Sequence, residues 1–187
     1  MRRFILPIAC AFTLVAPKAG GQIPVVKDAR VISFEENKVP DNWKGAGLAI
    51  NTAHYKDGKQ SMQWTFKPGE TISLKKDVMF QKKDPTGKDL YLSTFTGWFY
   101  NTKAKNDSIR VGFYKEGKEC CHFNLRTAFT GWRAAWVCFE RDMQGTPQEG
   151  MDEVRFTAPK SSEGQICIDL MIPSVNTDHR HQTADRQ

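Results

Sequence analysis

The chain has 187 residues, of which 26% are charged and 40% hydrophobic, and a formal net charge of +6. This length suits one domain with a substantial core. Its lysines are scattered among acidic residues instead of clustering along one helix, which gives little support to nucleic-acid binding. We therefore expect no nucleic-acid partner.

The first 21 residues have the pattern of a secretory signal peptide. Arg2 and Arg3 precede an apolar run from Phe4 to Ala16, and small residues at 19–21 provide a cleavage site. The apolar run is shorter than the roughly 20 residues that a membrane span needs. We therefore expect no membrane span, and export of residues 22–187 to the periplasm or the medium.

Ten candidate strands follow at short intervals, separated by turns rich in Gly, Pro, Asp and Asn. No stretch of twelve or more residues has a convincing helical period. Many short strands at this spacing predict an all-β, jelly-roll β-sandwich over residues 22–175. The candidate strands are Ala29–Glu35, Gly47–Asn51, Ser61–Phe66, Thr71–Leu74, Tyr91–Tyr100, Ser108–Tyr114, Cys120–Leu125, Trp132–Phe139, Glu153–Ala158 and Gln165–Ile172.

Two tryptophan-containing stretches have the strongest strand pattern. The run from Phe129 to Phe139 alternates with period two, and Phe95–Tyr100 echoes it upstream. The first predicts a central strand with both faces largely covered, so that its tryptophans lie in the core. Trp43, in a polar loop, is expected to be the most exposed tryptophan.

The cysteines predict no essential disulfide framework. Outside the signal peptide they are Cys120, Cys121, Cys138 and Cys167, and their spacing forms neither a CxxC nor a metal-knuckle motif. Cys120 and Cys121 are adjacent in a strand and point to opposite faces. Cys138 and Cys167 lie in apolar strand patterns, which favours buried free thiols.

No catalytic motif is present in the sequence. Gly-x-Ser-x-Gly, phosphate-loop and His-Glu-x-x-His patterns are missing, and no spacing singles out a pair of carboxylates for glycoside cleavage. His122 lies in a strand, where a satisfied structural histidine is expected. The sequence therefore predicts no catalytic residue and no organic cofactor.

One set of carboxylates predicts a metal site. The first and last strands of a jelly roll can lie side by side, which would bring Glu35 and Asp169 together near the turn at Asp57. Side-chain oxygens and turn carbonyls would then hold one structural Ca²⁺ or another hard cation. A carboxylate between Ile168 and Leu170 is costly to bury without a partner. The alternative is that Glu35 is solvated and Asp169 pairs with a lysine.

A series of motifs resembles the N-terminal domain of bacterial chondroitin sulfate ABC lyases, a jelly roll similar to galactose-binding domains and carbohydrate-binding modules. The resemblance covers nearly the whole chain after the signal peptide, in the right order. The motifs are Phe34-Glu35, Asp57-Gly58-Lys59-Gln60-Ser61-Met62-Gln63-Trp64, Phe129-Thr130-Gly131-Trp132-Arg133-Ala134, Val154-Arg155-Phe156-Thr157-Ala158-Pro159 and Gly164-Gln165-Ile166-Cys167-Ile168-Asp169.

The tail resembles the family segment that leads from the sandwich into the catalytic domain, so residues 176–187 are predicted to be a linker stub. The family tends to have Trp where Thr183 stands and Tyr where Arg186 stands. The resemblance implies that the histidine, tyrosine, arginine and glutamate of β-elimination lie in a downstream domain. We therefore expect this chain to have no lyase activity alone.

The resemblance also implies a partner, a sulfated glycosaminoglycan such as chondroitin or dermatan sulfate. Such a ligand needs an aromatic platform and basic side chains. The candidates are Trp98, Tyr100, Arg110, Tyr114 and Arg133, if their strand faces align. The alternatives are a structural module without a ligand, a stand-alone carbohydrate-binding protein and, against the sequence, an independent enzyme.

Overall fold

The computed structural model describes residues 30–82 and 91–178. These residues form eleven strands and one short helix. The elements are β1 (Trp43–Lys44), β2 (Leu48–Asn51), β3 (Ser61–Phe66), β4 (Thr71–Lys75), β5 (Tyr91–Asn101), β6 (Ser108–Lys115), β7 (Lys118–Arg126), β8 (Gly131–Cys138), α1 (Phe139–Asp142), β9 (Gln144–Gly145), β10 (Glu153–Thr157) and β11 (Gly164–Asp178).

The strands build two antiparallel sheets that face each other, which confirms the predicted jelly-roll β-sandwich. The six-stranded sheet has the order β1-β4-β10-β6-β7-β9, and the five-stranded sheet has the order β2-β3-β11-β5-β8. Within the described ranges, no helix is long and apolar enough to cross a membrane. The predicted signal peptide and residues 179–187 of the predicted linker lie outside the described residues.

The core between the sheets is rich in phenylalanine. In β3 the period-two pattern turns Met62 and Trp64 inward, and both are fully buried. From β5, Phe95 packs edge-on against Phe113 of the opposite sheet with ring centroids 5.7 Å apart. Because such aromatic pairs join the two sheets, they fix which face of each sheet points outward.

The first predicted strand, Ala29–Glu35, is not a strand within the described residues. Only Ile32 pairs with the sheet, through hydrogen bonds of 2.8 and 3.1 Å between its backbone and that of Met171. The chain then turns, with Asn37 in the left-handed region at φ 57°. The expected proximity of the N-terminal segment to the last strand is nevertheless confirmed, because Met171 belongs to β11.

The predictions for the Trp132–Phe139 strand and for the exposure of Trp43 are wrong. The Trp132–Phe139 stretch is not a central strand, because β8 lies at the edge of its sheet and leaves Trp136 50% exposed. Trp43 is only 4% exposed. Its two-residue strand pairs with β4, and its ring packs against Phe34 and Phe156 at centroid distances of 6.0 and 5.9 Å.

All four cysteines of the described chain are free thiols. Cys138 and Cys167 are buried, as predicted. Cys121 is buried as well, and burial raises the pKa of its thiol to about 12. Cys120 is partly buried and packs against the core beside an irregularity in the pairing of β6 with β7. The thiols therefore serve chiefly as small core side chains.

A charged cluster on the six-stranded sheet centres on Glu153, which is 3% exposed. Its carboxylate accepts hydrogen bonds of 2.8 and 2.9 Å from the Arg155 guanidinium and pairs with Lys75 at 2.7 Å. These contacts, Arg155 first, lower the pKa of Glu153 to about 2 from its ordinary 4.5. The carboxylate therefore stabilises the fold while it is ionised.

This depressed pKa predicts a particular loss of stability in acid. The contribution of Glu153 is present above pH 4.5 and is lost as the pH falls towards 2. We expect Glu153→Gln to flatten the decline of the melting temperature in this window. Each 1 kcal/mol lost corresponds to roughly 2–4 °C for a domain of this size. Thermal melts between pH 2 and 5 measure how the melting temperature changes with pH.

The control is Glu36→Gln, at an exposed site, which should keep the wild-type decline. If the melting temperature of Glu153→Gln declines as steeply as that of the wild type, the assignment is contradicted.

Candidate functional site

The outer face of the five-stranded sheet carries a row of aromatic side chains at one edge. Tyr100 of β5 lies opposite Trp132 of β8, with ring centroids 5.3 Å apart, and Thr96 lies opposite Trp136. Period-two alternation places these side chains outward while Phe99 points into the core. We call Tyr100, Trp132 and Trp136 the aromatic row.

The loop between β2 and β3 covers the centre of the same face. His54 stacks on Tyr100 with ring centroids 4.1 Å apart and an interplanar angle of 17°. The Lys56 ammonium lies 3.9 Å from the centroid of the Trp98 ring. Exposed aromatic surface remains at Trp136 on β8, which is 50% exposed, and at Tyr55 in the loop itself, which is 44% exposed. The Lys56 ammonium provides a cation on the same face.

Backbone amides bound to two carboxylates hold this loop. Asp169 Oδ2 accepts hydrogen bonds from the amides of Lys56 at 2.9 Å and Asp57 at 3.2 Å. The Glu35 carboxylate accepts from the amides of Lys59, at 3.1–3.2 Å, and Gln60, at 3.3 Å. Both predicted carboxylates thus meet at the predicted turn, and they tie the N-terminal segment and β11 to it.

The same carboxylates are the predicted cation ligands. Burial raises the pKa of Asp169, and the nearby charge of Glu35 adds to the effect. Lys56 bonds to Asp169 through its backbone amide while its ammonium lies over Trp98, and no lysine ion pair with Asp169 is found among residues 30–82 and 91–178. The Asp57 side chain is exposed. Over residues 30–82 and 91–178, no three His, Cys, Asp or Glu side chains cluster as a metal site would require, so the cation stays a prediction.

Amide side chains extend the outer face away from the aromatic row. Gln63 Oε1 accepts hydrogen bonds from Asn51 at 2.6 Å and from Gln165 at 3.0 Å. Its Nε2 donates to the Thr65 hydroxyl at 3.2 Å. Each of these three amide nitrogens has a second N–H group, which can donate to a sugar hydroxyl.

The other predicted binding residues do not join this face. Arg110 and Tyr114 lie on the outer surface of the six-stranded sheet, on the opposite side of the sandwich, where both bond to Glu119 at 3.2 and 2.9 Å. Consecutive strands β5 and β6 belong to different sheets, whereas the predicted binding platform requires their faces to align. Arg133 lies on the other side of β8 from Trp132, with its guanidinium 5.4 Å from the Phe129 ring centroid.

Sequence reasoning therefore identified two members of the face, Trp98 and Tyr100, and missed the rest. Trp132 and Trp136 were assigned to the core because their strand reads as fully buried. The contacts of His54 and Lys56 depend on how the loop folds back over the sheet. The period-two alternation places Trp132 and Trp136 on one face of their strand, but it does not tell whether that face is buried, because an edge strand has the same period as a central one.

The sequence profile of the family described as "Lyase, N terminal" matches residues 28–187. Over 165 residues the chain is 51% identical to a chondroitin sulfate ABC exolyase of Bacteroides thetaiotaomicron, which covers 87% of this chain and 16% of that protein. A chondroitin sulfate ABC exolyase of Proteus vulgaris is 36% identical over 140 residues, covering 75% of this chain and 14% of that protein. The chain thus spans about a sixth of the length of these curated relatives.

Among solved structures, an exo-β-agarase superimposes with a TM-score of 0.55 at 8% identity. The match covers 77% of this chain and 24% of that chain. At this identity the likeness concerns the fold alone, and it agrees with the observed β-sandwich.

The exposure of the tryptophans predicts opposite effects on stability. Trp136→Ala should change the free energy of unfolding by less than about 0.5 kcal/mol, because the side chain lies on the surface. Trp64→Ala should cost about 3–5 kcal/mol, because it leaves a cavity in the core. Urea unfolding of the two variants measures the difference. A large loss in Trp136→Ala would mean that this ring is buried in solution.

Proposed function

Because the chain belongs to the family of lyase N-terminal domains, we propose that it is a non-catalytic module that binds chondroitin or dermatan sulfate. It positions the polysaccharide for a β-eliminating catalytic domain, as the names of its relatives suggest. The observation that carries the proposal is the aromatic row, in which Trp136 is exposed and Tyr100 and Trp132 are half-buried, with amide and ammonium groups beside it. No catalytic residue is assigned to this chain.

The chemistry of this face suits an acidic polysaccharide. A sugar ring has an apolar face of C–H groups that can stack on Trp132 or Trp136, and Gln63 can bond its hydroxyls. The Lys56 ammonium lies within the same face and can pair with a sulfate or carboxylate group. Because the face is open, affinity should be weak, with Kd from roughly tens of micromolar to millimolar.

Titration with chondroitin sulfate oligosaccharides tests the proposal. We expect Trp136→Ala to weaken binding about tenfold or more, since it removes a stacking surface without unfolding the domain. Arg133→Ala is the matched control: it lies on the same strand but faces the other way, so its affinity should equal that of the wild type. Chemical shifts in backbone NMR spectra report both the affinity and the site.

Two outcomes would contradict this assignment. Weaker binding in Arg133→Ala with normal binding in Trp136→Ala would place the ligand on the opposite side of β8. Unchanged spectra at every ligand concentration would leave a structural module without a ligand.

The structural cation that links Glu35 to Asp169 is part of the proposal. Asp169 is fully buried, and neither carboxylate has a Lys or Arg side-chain ion pair within the described residues. With the pKa of Asp169 raised, ionisation of this carboxylate destabilises the fold as the pH rises through its folded pKa. A bound Ca²⁺ would reverse this effect and lend its binding energy to folding.

Thermal melts in calcium and in chelator test the cation. Calcium should raise the melting temperature of the wild type, and Asp169→Ala should abolish that rise while lowering the melting temperature itself. Glu36→Ala, at an exposed neighbouring carboxylate, should keep the full response to calcium. Identical wild-type melts in calcium and chelator would contradict the proposal.

A further inference from the structure

A cavity of about 570 Å³ lies at one end of the sandwich, where β5 ends and β11 begins. Its lining includes the buried apolar side chains Phe66, Ile109 and Ile166. Three lysines from two loops also line it, Lys67 after β3 and Lys103 and Lys105 after β5. We call this the end cavity. Its apolar side chains and ammonium groups suit a ligand that contains a ring and carries a negatively charged group.

Two of these ammonium groups are available to a ligand. Lys67 and Lys103 are exposed, and their side chains make no ion pair or hydrogen bond with residues 30–82 or 91–178. Lys105 donates to the backbone oxygen of Glu163. The carboxylates of Glu70 and Glu163 also belong to the lining residues, so the three lysines leave a small positive excess.

The loop that carries Lys103 and Lys105 is fixed in place. Asn101, which is buried, donates to the Thr127 carbonyl at 2.8 Å and accepts from the Lys103 amide at 3.2 Å. The Thr127 hydroxyl bonds to the carbonyls of Lys105 and Asp107 at 3.2 and 3.0 Å. A preorganised loop loses little conformational entropy when it binds a ligand.

The end cavity adjoins the aromatic row. Cys167 lies opposite Tyr100 and Ile166 opposite Asn101, and Gln165 and Thr102 are the next residues beyond this last pair. Gln165 and Thr102 both line the cavity. Two residues along a strand span roughly 6.6–6.8 Å. A chain of sugars stacked on Trp132 can therefore reach the cavity with its next unit.

We propose that the end cavity binds the sulfate or carboxylate group of an acidic sugar unit, next to the unit stacked on the aromatic row. Lys67 and Lys103 pair with the anion, and the apolar lining packs against the sugar ring. This inference rests on the proposed function, because one polysaccharide chain occupies both places. It makes the cavity the source of selectivity for acidic over neutral chains.

A double variant tests the cavity directly. Lys67→Ala/Lys103→Ala is compared with Lys38→Ala/Lys118→Ala, which removes two exposed lysines away from the cavity. The probes are a chondroitin sulfate oligosaccharide and its desulfated, carboxyl-reduced neutral form. We expect the cavity variant to bind the acidic probe about three- to thirtyfold more weakly, with a smaller salt dependence. Its affinity for the neutral probe should not change, and the control should match the wild type.

The outcomes separate this inference from the proposed function. If Trp136→Ala loses binding while the cavity variant matches its control, ligand binding in the cavity is contradicted and binding at the aromatic row is supported. If the cavity variant loses binding to the acidic probe while Trp136→Ala does not, binding in the cavity is supported and binding at the aromatic row is contradicted. NMR shifts of the Gly47, Thr102 and Thr127 amides should accompany cavity binding. Wild-type protein that binds neither probe overturns both.

Discussion

The buried carboxylate of Asp169 determines which part of the five-stranded sheet stays open. It lies on the central strand β11 and accepts the amides of Lys56 and Asp57, so it draws the loop after β2 across the outer face. Without this acceptor, two partly buried amides would lose their partner. The same attachment places His54 on Tyr100 and Lys56 over Trp98, and leaves the β8 edge uncovered.

An edge strand with a half-exposed tryptophan is a liability for a folded domain, because strand edges promote association. Here the exposed ring of Trp136 lies on a face that also has amide groups and an ammonium group. The end cavity continues that face with two available lysines. In the proposed function, the aromatic row and the end cavity bind successive units of one linear acidic polysaccharide.

The sequence was a good guide to local structure. The bounds of β3 were predicted correctly, and the period-two patterns assigned most strands. The meeting of Glu35, Asp169 and the turn was predicted because a jelly roll has only a few ways to place its ends. Burial was predicted poorly for Trp43 and Trp136. Whether a strand is central, at an edge or only two residues long depends on how it pairs with strands distant in sequence, and not on its local period.

The sequence also did not predict which strands belong to which sheet. Strands β5 and β6 follow each other in the chain but lie on opposite sides of the core, which separates Arg110 and Tyr114 from Tyr100. The lysines of the end cavity come from loops far apart in sequence, and no motif marks them. Local patterns specify elements, whereas a binding face is assembled by packing.

The position of a bound oligosaccharide tests the central claim most directly. In a complex with a chondroitin sulfate oligosaccharide, nuclear Overhauser effects between sugar protons and the indole protons of Trp132 and Trp136 should be observed. Effects that involve only the rings of Tyr114 and His122, on the six-stranded sheet, would show that the polysaccharide binds the opposite side of the sandwich.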